Sequence, residues 1–509
     1  MKNQPIPALL AILGLLLFNL LFWEQKLGIN LPIFSVFLIG LAVYVHPEKG
    51  IKKEFYYSFF GVILTGIMLC WHHSNFSIFM HFISVFMALG TLKNKDISTS
   101  FEAVMGFVFV YVQAPVTWAK AAKERQRGNK KLTNLFSFLK LAFIPFIVFV
   151  LFFIIYKNAN PKFDELTLSI TELFKDISFV RLVFLFFGFT FISVAIFKSY
   201  NQLGFISAED NLLRKRNSNY AKNLKSGMVH YTDFKNEYRS GLLVFAALNL
   251  LLLLVNVIDI NWIWFGFEVP QEFNLKSFVH EGTYLLIFSI ILSMGIFLYF
   301  FRGSLNFFSA NKWLKLLGNI WITQNVILTI SVFIRNYHYI DYHGLAGKRI
   351  GVIVFLLLTV FGLLSLIYKV NKLKTTAFLL RLNGWFIFFT LITMTVVNWD
   401  RVMAHHNLTH DNPGEIEVDY YLSLDESVAP MLLKNINIIE GQMEAHLKRP
   451  NKEVWLRYTN INAFKSQLEF RASNYLERLE ETEWPSWNWA DSKMKKTTAL
   501  VTSVNSNTP

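Results

Sequence analysis

Asp259, His280, Glu281, Arg335, Asp341, His343, Arg349 and Asp400 are the side chains whose types and spacing could do chemistry. Each stands at the end of an apolar run or in a short link between two runs, where a charge beside lipid needs a partner, water or a function. The densest group is the stretch YHYIDYHGLAGKR from Tyr337 to Arg349, which holds His338, Asp341 and His343 among three tyrosines. Gly344 and Gly347 suit it to a tight polar loop. Carboxylates and imidazoles gathered at one membrane face would supply acid, base or ligand groups. Two arginines facing Glu281 and Asp341 would supply bidentate latches instead. The expectation is one polar cluster of these eight residues, in which Glu281 and Asp341 face the two arginines Arg335 and Arg349 and a contact of Arg349 with Glu281 would show as coupling.

His406 and His410 are four apart and would share a helix face. With Asp411, His338 or His343 they make a weak candidate for a divalent metal site. No HExxH occurs, and His280-Glu281 lacks the second histidine that a helical zinc site requires. The sequence contains no Walker A motif, no GxGxxG followed by an acid, and no GxSxG elbow. Hydrolases and ATPases of the soluble type are thereby disfavoured, and no cofactor is indicated. Cys70 is the only cysteine, which excludes an intramolecular disulfide and a cysteine-based zinc site.

The elements that must position these groups are apolar. Of 509 residues 53% are hydrophobic, 52 are Phe, and only 17% are charged. That much apolar surface calls for a bilayer, and a bilayer calls for helices of roughly 20 residues. Apolar runs fall near 7–23, 31–46, 56–70, 76–92, 98–118, 134–156, 179–198, 240–261, 279–301, 315–335, 349–369 and 379–399. The expected fold is an all-α polytopic membrane helical bundle of eleven or twelve spans with a small C-terminal helical domain. The run at 7–23 has no small-residue cleavage site after it and reads as a retained helix. Inside the runs, Asn249, Asn256 and Asp259 lie near one helix face, Asn319, Gln324 and Asn325 are suited to bonds across helices, and Lys140 snorkels toward an interface.

Charge sets the orientation. The formal net charge is +14, and its Lys and Arg collect in links 119–133, 199–239 and 370–378. Those links should be cytoplasmic, so the charge is no argument for nucleic acid. Links 157–178 and 262–278 are acidic or mixed, and the stretch Tyr337–Arg349 falls on their side. Lys49, Lys52 and Lys53 fit only if one early run fails to span, which leaves the side of the N-terminus open. The organisation is thus 1–118, the N-terminal transmembrane helices; 119–239, helices with basic cytoplasmic loops and one external loop; 240–400, the C-terminal transmembrane bundle; and 401–509, a polar, external helical domain. In that domain Asp419–Ile439 reads as two short helices broken near Pro430, and Phe464–Leu479 as an amphipathic helix. Trp484, Trp487 and Trp489 would dock the tail on helices or at the lipid interface. Residues 498–509 read as a disordered end.

Several segments carry a resemblance. They are LFWEQKLGINLPIF (Leu21–Phe34), IPFIVFVLFFIIYKNANPKF (Ile144–Phe163), FVHEGTYLL (Phe278–Leu286), YHGLAGKRIGV (Tyr342–Val352), NWDRVMAHHNL (Asn398–Leu408) and DYYLSLDESVAPML (Asp419–Leu432). Together they resemble the uncharacterised multi-pass membrane family called domain of unknown function 4173, and its 4153 relatives. His280, Glu281 and Gly282, then Gly344, Leu345, Lys348 and Arg349, match positions typical of that family. The resemblance implies a multi-pass protein of a bacterial cytoplasmic membrane. It carries over no catalytic role, and the His405-His406 pair gains no metal argument from it.

Three function classes follow. The leading one is a non-enzymatic envelope protein, a regulator, sensor or assembly partner that binds another protein through residues 401–509. The second is a transporter or lipid-handling protein working through the polar faces of the runs at 240–261 and 315–335. The third is a membrane enzyme acting on a lipid-linked substrate. Membrane lipid is a partner in all three.

Overall fold

The computed structural model describes residues 6–45, 51–93, 97–111, 179–196, 231–265, 275–301, 311–411, 416–448, 457–458, 460–480 and 482–493. The apolar run at 134–156, the links 119–133 and 157–178, and residues 498–509 lie outside them. Every regular element among the described residues is helical. Among the described residues seven helices are long and apolar enough to cross a membrane, and four further apolar helices are shorter. The chain is therefore an all-α protein with the make-up of a polytopic membrane bundle.

The described residues divide into two compact units. The first holds α1 (Ile6–Phe22), α2 (Asn30–Val45), α3 (Lys53–His72), α4 (Asn75–Lys93), most of α5 (Ser100–Tyr111) and α6 (Phe179–Ile196). It also includes Thr482–Trp489 from near the end of the chain. Asn30 ties the α1–α2 turn. Its amide donates to the Leu21 and Lys26 carbonyls at 2.8 Å each and its oxygen accepts from Gly28 N–H at 2.7 Å. A two-residue link joins α3 to α4, with His73 at φ 50° closing α3 through its N–H to the Leu69 carbonyl. Inside the unit, His81 bridges Ser35 Oγ at 2.9 Å and Thr65 Oγ1 at 3.0 Å, so a buried imidazole keeps both nitrogens bonded.

The second unit holds α7 (Tyr231–Asp259) with a π turn (Ile260–Trp264), α8 (Leu275–Phe300), α9 (Lys312–His343), α10 (Gly347–Asn371) and α11 (Thr376–Met394). Phe245, Phe297, Phe301, Leu314, Trp321 and Leu363 form its apolar centre. It continues into α12 (Trp399–Leu408), 3-10 turns at Val418–Ser423 and Glu426–Val428, α13 (Ala429–Lys434), α14 (Ile436–Leu447) and α15 (Ile461–Glu480). These last elements share a core of Met403, Leu408, Tyr421, Leu432, Ile439, Phe464 and Leu468. Two expectations change. Pro430 does not break a helix but opens α13, because a first-turn proline lacks only an N–H that has no partner there. The stretch Tyr337–Arg349 is not a loop. It is the end of α9 and the start of α10, with only Gly344–Ala346 between them. Nothing in YHYIDYH stops a helix, so α9 runs on until Gly344 at φ +80° closes it through its N–H to the Ile340 carbonyl.

Candidate functional site

The site is built where α7, α9, α10 and α12 meet. Asn249 and Asn256 are seven residues apart on α7, and Leu317, Gln324, Ser331 and His338 recur every seven on α9. Asn249 Nδ2 donates to the Leu317 carbonyl at 3.0 Å and Asn256 Nδ2 to the Gln324 carbonyl at 3.1 Å, each pair 68 residues apart. Residue numbers rise together along both helices, so α7 and α9 run parallel, packed with a coiled-coil heptad period. Gln324 Nε2 donates to Asn249 Oδ1 at 2.7 Å. Such interhelical bonds are each worth on the order of 0.6 kcal/mol in a membrane. The π turn carries the seam on, with Trp264 Nε1–H donating to Ser331 Oγ at 3.0 Å. The seam still holds buried oxygens with no hydrogen-bond partner, Asn256 Oδ1 and Gln324 Oε1, and α9 holds another at Asn325 Oδ1.

At the end of the seam, Arg335 donates to Asp259 Oδ1 at 2.6 Å, with side chains only 8% and 6% exposed. This joins two of the eight candidate residues. Asp259 Oδ2 is buried and has no hydrogen-bond partner. Arg349 goes elsewhere. Its guanidinium lies 4.3 Å from the Tyr339 ring centre and donates to the His343 carbonyl at 3.0 Å and to the Gly344 carbonyl. It closes the turn from within. The pairing of Arg349 with Glu281 falls outside the described residues, because the side chains of His280 and Glu281 are not among them, although both positions lie on α8. His343 stands edge-on to Tyr339 and Tyr342, with ring centres 4.7 and 4.9 Å away.

The turn is gripped from α12 by residues the sequence reading did not single out. Asn407 Oδ1 accepts from Leu345 N–H at 2.6 Å and Asn407 Nδ2 donates to the Leu345 carbonyl at 3.0 Å. A side-chain amide thereby completes both backbone groups of the residue after Gly344. Gln442 donates to the Asn407 carbonyl at 2.7 Å and accepts from the Tyr421 hydroxyl at 3.0 Å. Tyr420 Oη accepts from Gly347 N–H at 2.9 Å. The available signal was amphipathicity: Met403, Ala404, Asn407 and Leu408 share the buried face of α12.

Asp400 stands in the first turn of α12, capped by Asn398. Burial pushes its carboxyl above the usual range, Asp425 adds to this, and a backbone N–H bond from Asp425 opposes it. On the same helix, Asn398, Arg401, Val402, His405, His406 and Thr409 line an open hollow of about 560 Å³. The His406 imidazole is held below its ordinary range by burial first and by His410 next, while Asp341 pulls it up. The His406 and His410 rings are 5.7 Å apart, and His410 Nε2 is 3.4 Å from the Tyr342 carbonyl. Among the described residues no group of three or more His, Cys, Asp or Glu side chains is gathered to hold a metal ion. The structure thus brings together Asp259 with Arg335, and Arg349 with the backbone around His343. Asp341 acts only at the edge of the histidine group, and Asp400 faces Asp425.

No curated protein and no solved structure matches the chain. The model of the family described as Domain of unknown function (DUF4153) matches residues 33–435. That match runs from within α2 through α13 and includes the ion pair, the gripped turn and α12, so the chain belongs to the DUF4153 family.

Proposed function

We propose that the chain is a non-enzymatic membrane protein, a regulator, sensor or assembly partner, that couples its C-terminal domain to its helices through the α9–α10 turn. The observation that carries this reading is the Asn407 bracket on Leu345, with Gln442 and Tyr420 behind it. Polar groups that suggested chemistry are engaged in fastening: Arg335 in an ion pair, Arg349 in the turn. A domain fixed this way passes displacement to α9, and α9 passes it to α7 through the parallel seam. In this reading the twelve apolar runs make eleven or twelve spans of a bacterial cytoplasmic membrane, the domain lies outside the cytoplasm, and the kinship extends to the 4173 relatives.

On the surface of the domain, Phe470 on α15, 58% exposed, and Ile438 on α14, 43% exposed, would each serve as an anchor for a protein partner. The test is affinity purification of the full chain from native membranes, with Phe470→Glu beside it. A stoichiometric protein partner that is lost in the variant is the expected result. A chain that purifies without protein, in wild type and variant alike, overturns the reading. It would favour transport, for which the unpartnered oxygens of Asn256 and Gln324 between α7 and α9 are the supporting observation.

A further inference from the structure

A groove of about 390 Å³ runs along the first unit, lined by Pro32 and Val36 of α2, six residues of α3 from Val62 to Trp71, and His81 of α4. Trp487 and Trp489 complete it at one end. It exposes no polar surface. The two nitrogens of His81 are turned away onto Ser35 and Thr65, so the ring offers the groove carbon only. Water is a poor occupant, since a buried water needs 2–4 polar partners. An empty groove of this size would forgo dispersion contacts along all its walls. Val36, Ile63 and Ile67 are 49%, 40% and 53% exposed, and α3 and α4 both have the length and composition of membrane spans. The open side therefore faces hydrocarbon.

The tryptophan end is built rather than incidental. Trp489 stacks on Trp71 with ring centres 4.6 Å apart and planes 18° apart. The 3-10 turn Trp484–Ser486 is seated on the α1–α2 turn, where Ile29 N–H donates to the Trp487 carbonyl at 2.9 Å and Ser486 Oγ donates to Gln25 Oε1 at 3.0 Å. Gln25 Nε2 in turn donates to Glu483 at 2.8 Å. Gly28 is required there, because a Cβ on it would lie 2.4 Å from the Ser486 backbone. Tryptophan held at the end of spanning helices marks the level of lipid headgroups. We propose that this groove binds one acyl tail of a membrane phospholipid and that Thr482–Trp489 is the clasp that retains it.

Cys70 lines the groove and is the only cysteine of the chain, so it reports occupancy without any substitution. The test uses the full chain in a non-ionic detergent, with dioleoyl phosphatidylglycerol or dioleoyl phosphatidylethanolamine added. The rate of N-ethylmaleimide addition to the thiol and the lipid retained in native mass spectrometry are both read. Either lipid should slow the addition about ten-fold at saturation, with one lipid retained per chain and lost once the maleimide is attached. Trp489→Ala should raise the lipid needed for half protection about ten-fold. The reference is the thiol of Phe79→Cys in a Cys70→Ser background, an exposed position of α4 that does not line the groove, which should be unaffected. Equal slowing at the reference, or a retained lipid that survives maleimide at Cys70, overturns the proposal.

Discussion

Replacing Arg335 with Met leaves the Asp259 carboxyl 6% exposed and without the guanidinium. At 2.6 Å the pair gains about 6 kcal/mol of gross Coulomb energy at an effective dielectric of about 20, most of it offset by desolvation of both ions. What the single substitution costs is set by the stranded carboxylate, about 3–5 kcal/mol. Asp259→Leu should also cost stability, because Arg335 loses its carboxylate. The double variant removes both charges and should be within about 1 kcal/mol of wild type, since buried pairs are replaceable by apolar residues of similar volume. The assay is reversible unfolding in mixed micelles of denaturing and non-ionic detergent, followed by circular dichroism. A double-mutant cycle should return a coupling of at least about 2 kcal/mol. Additivity of the two single losses within about 0.5 kcal/mol would refute the argument, and with it the parallel docking that places residue 259 against residue 335.

Gly344→Ala should cost about 1–3 kcal/mol, because its φ of +80° disfavours a side chain and the new Cβ would lie 2.6 Å from Asn407 Oδ1 and Ile416 Cδ1. Gly351→Ala, whose Cβ meets nothing within 4 Å on helical backbone, should be neutral or slightly stabilising in the same unfolding assay. Equal losses at the two positions would remove the bracket from the account. Asp400→Asn should show a pH signature in melting temperature. Burial and Asp425 raise the folded pKa of Asp400, so ionisation costs stability. The cost is absent below the unfolded carboxylate pKa of about 3.9 and complete above the raised folded value. The variant should therefore gain on wild type as pH rises through that window and show no gain in acid; a gain constant with pH would count against it.

Length and hydropathy made the bundle legible from the sequence alone, because a bilayer admits few alternatives to a long apolar helix. The runs at 240–261, 279–301, 315–335, 349–369 and 379–399 all correspond to helices. The heptad spacing of Asn249 and Asn256 was visible too, as a face without a partner. Local chemistry misled where a helix and a loop share a composition. The polar, aromatic stretch from Tyr337 to His343 has no breaker, and only Gly344 decides where α9 stops. Tertiary structure decided the pairings. Asp259 and Arg335 are 76 residues apart, and nothing in either segment selects the other. Parallel packing of α7 on α9 brings them level, while Arg349, across the turn, bonds the carbonyls of His343 and Gly344 instead. The same holds for Asn407 on Leu345 and for the tryptophans of 484–489 on the first unit. Side-chain type fixes what each group needs, a charge, a carbonyl or an apolar wall, and only the docked helices determine which group supplies it.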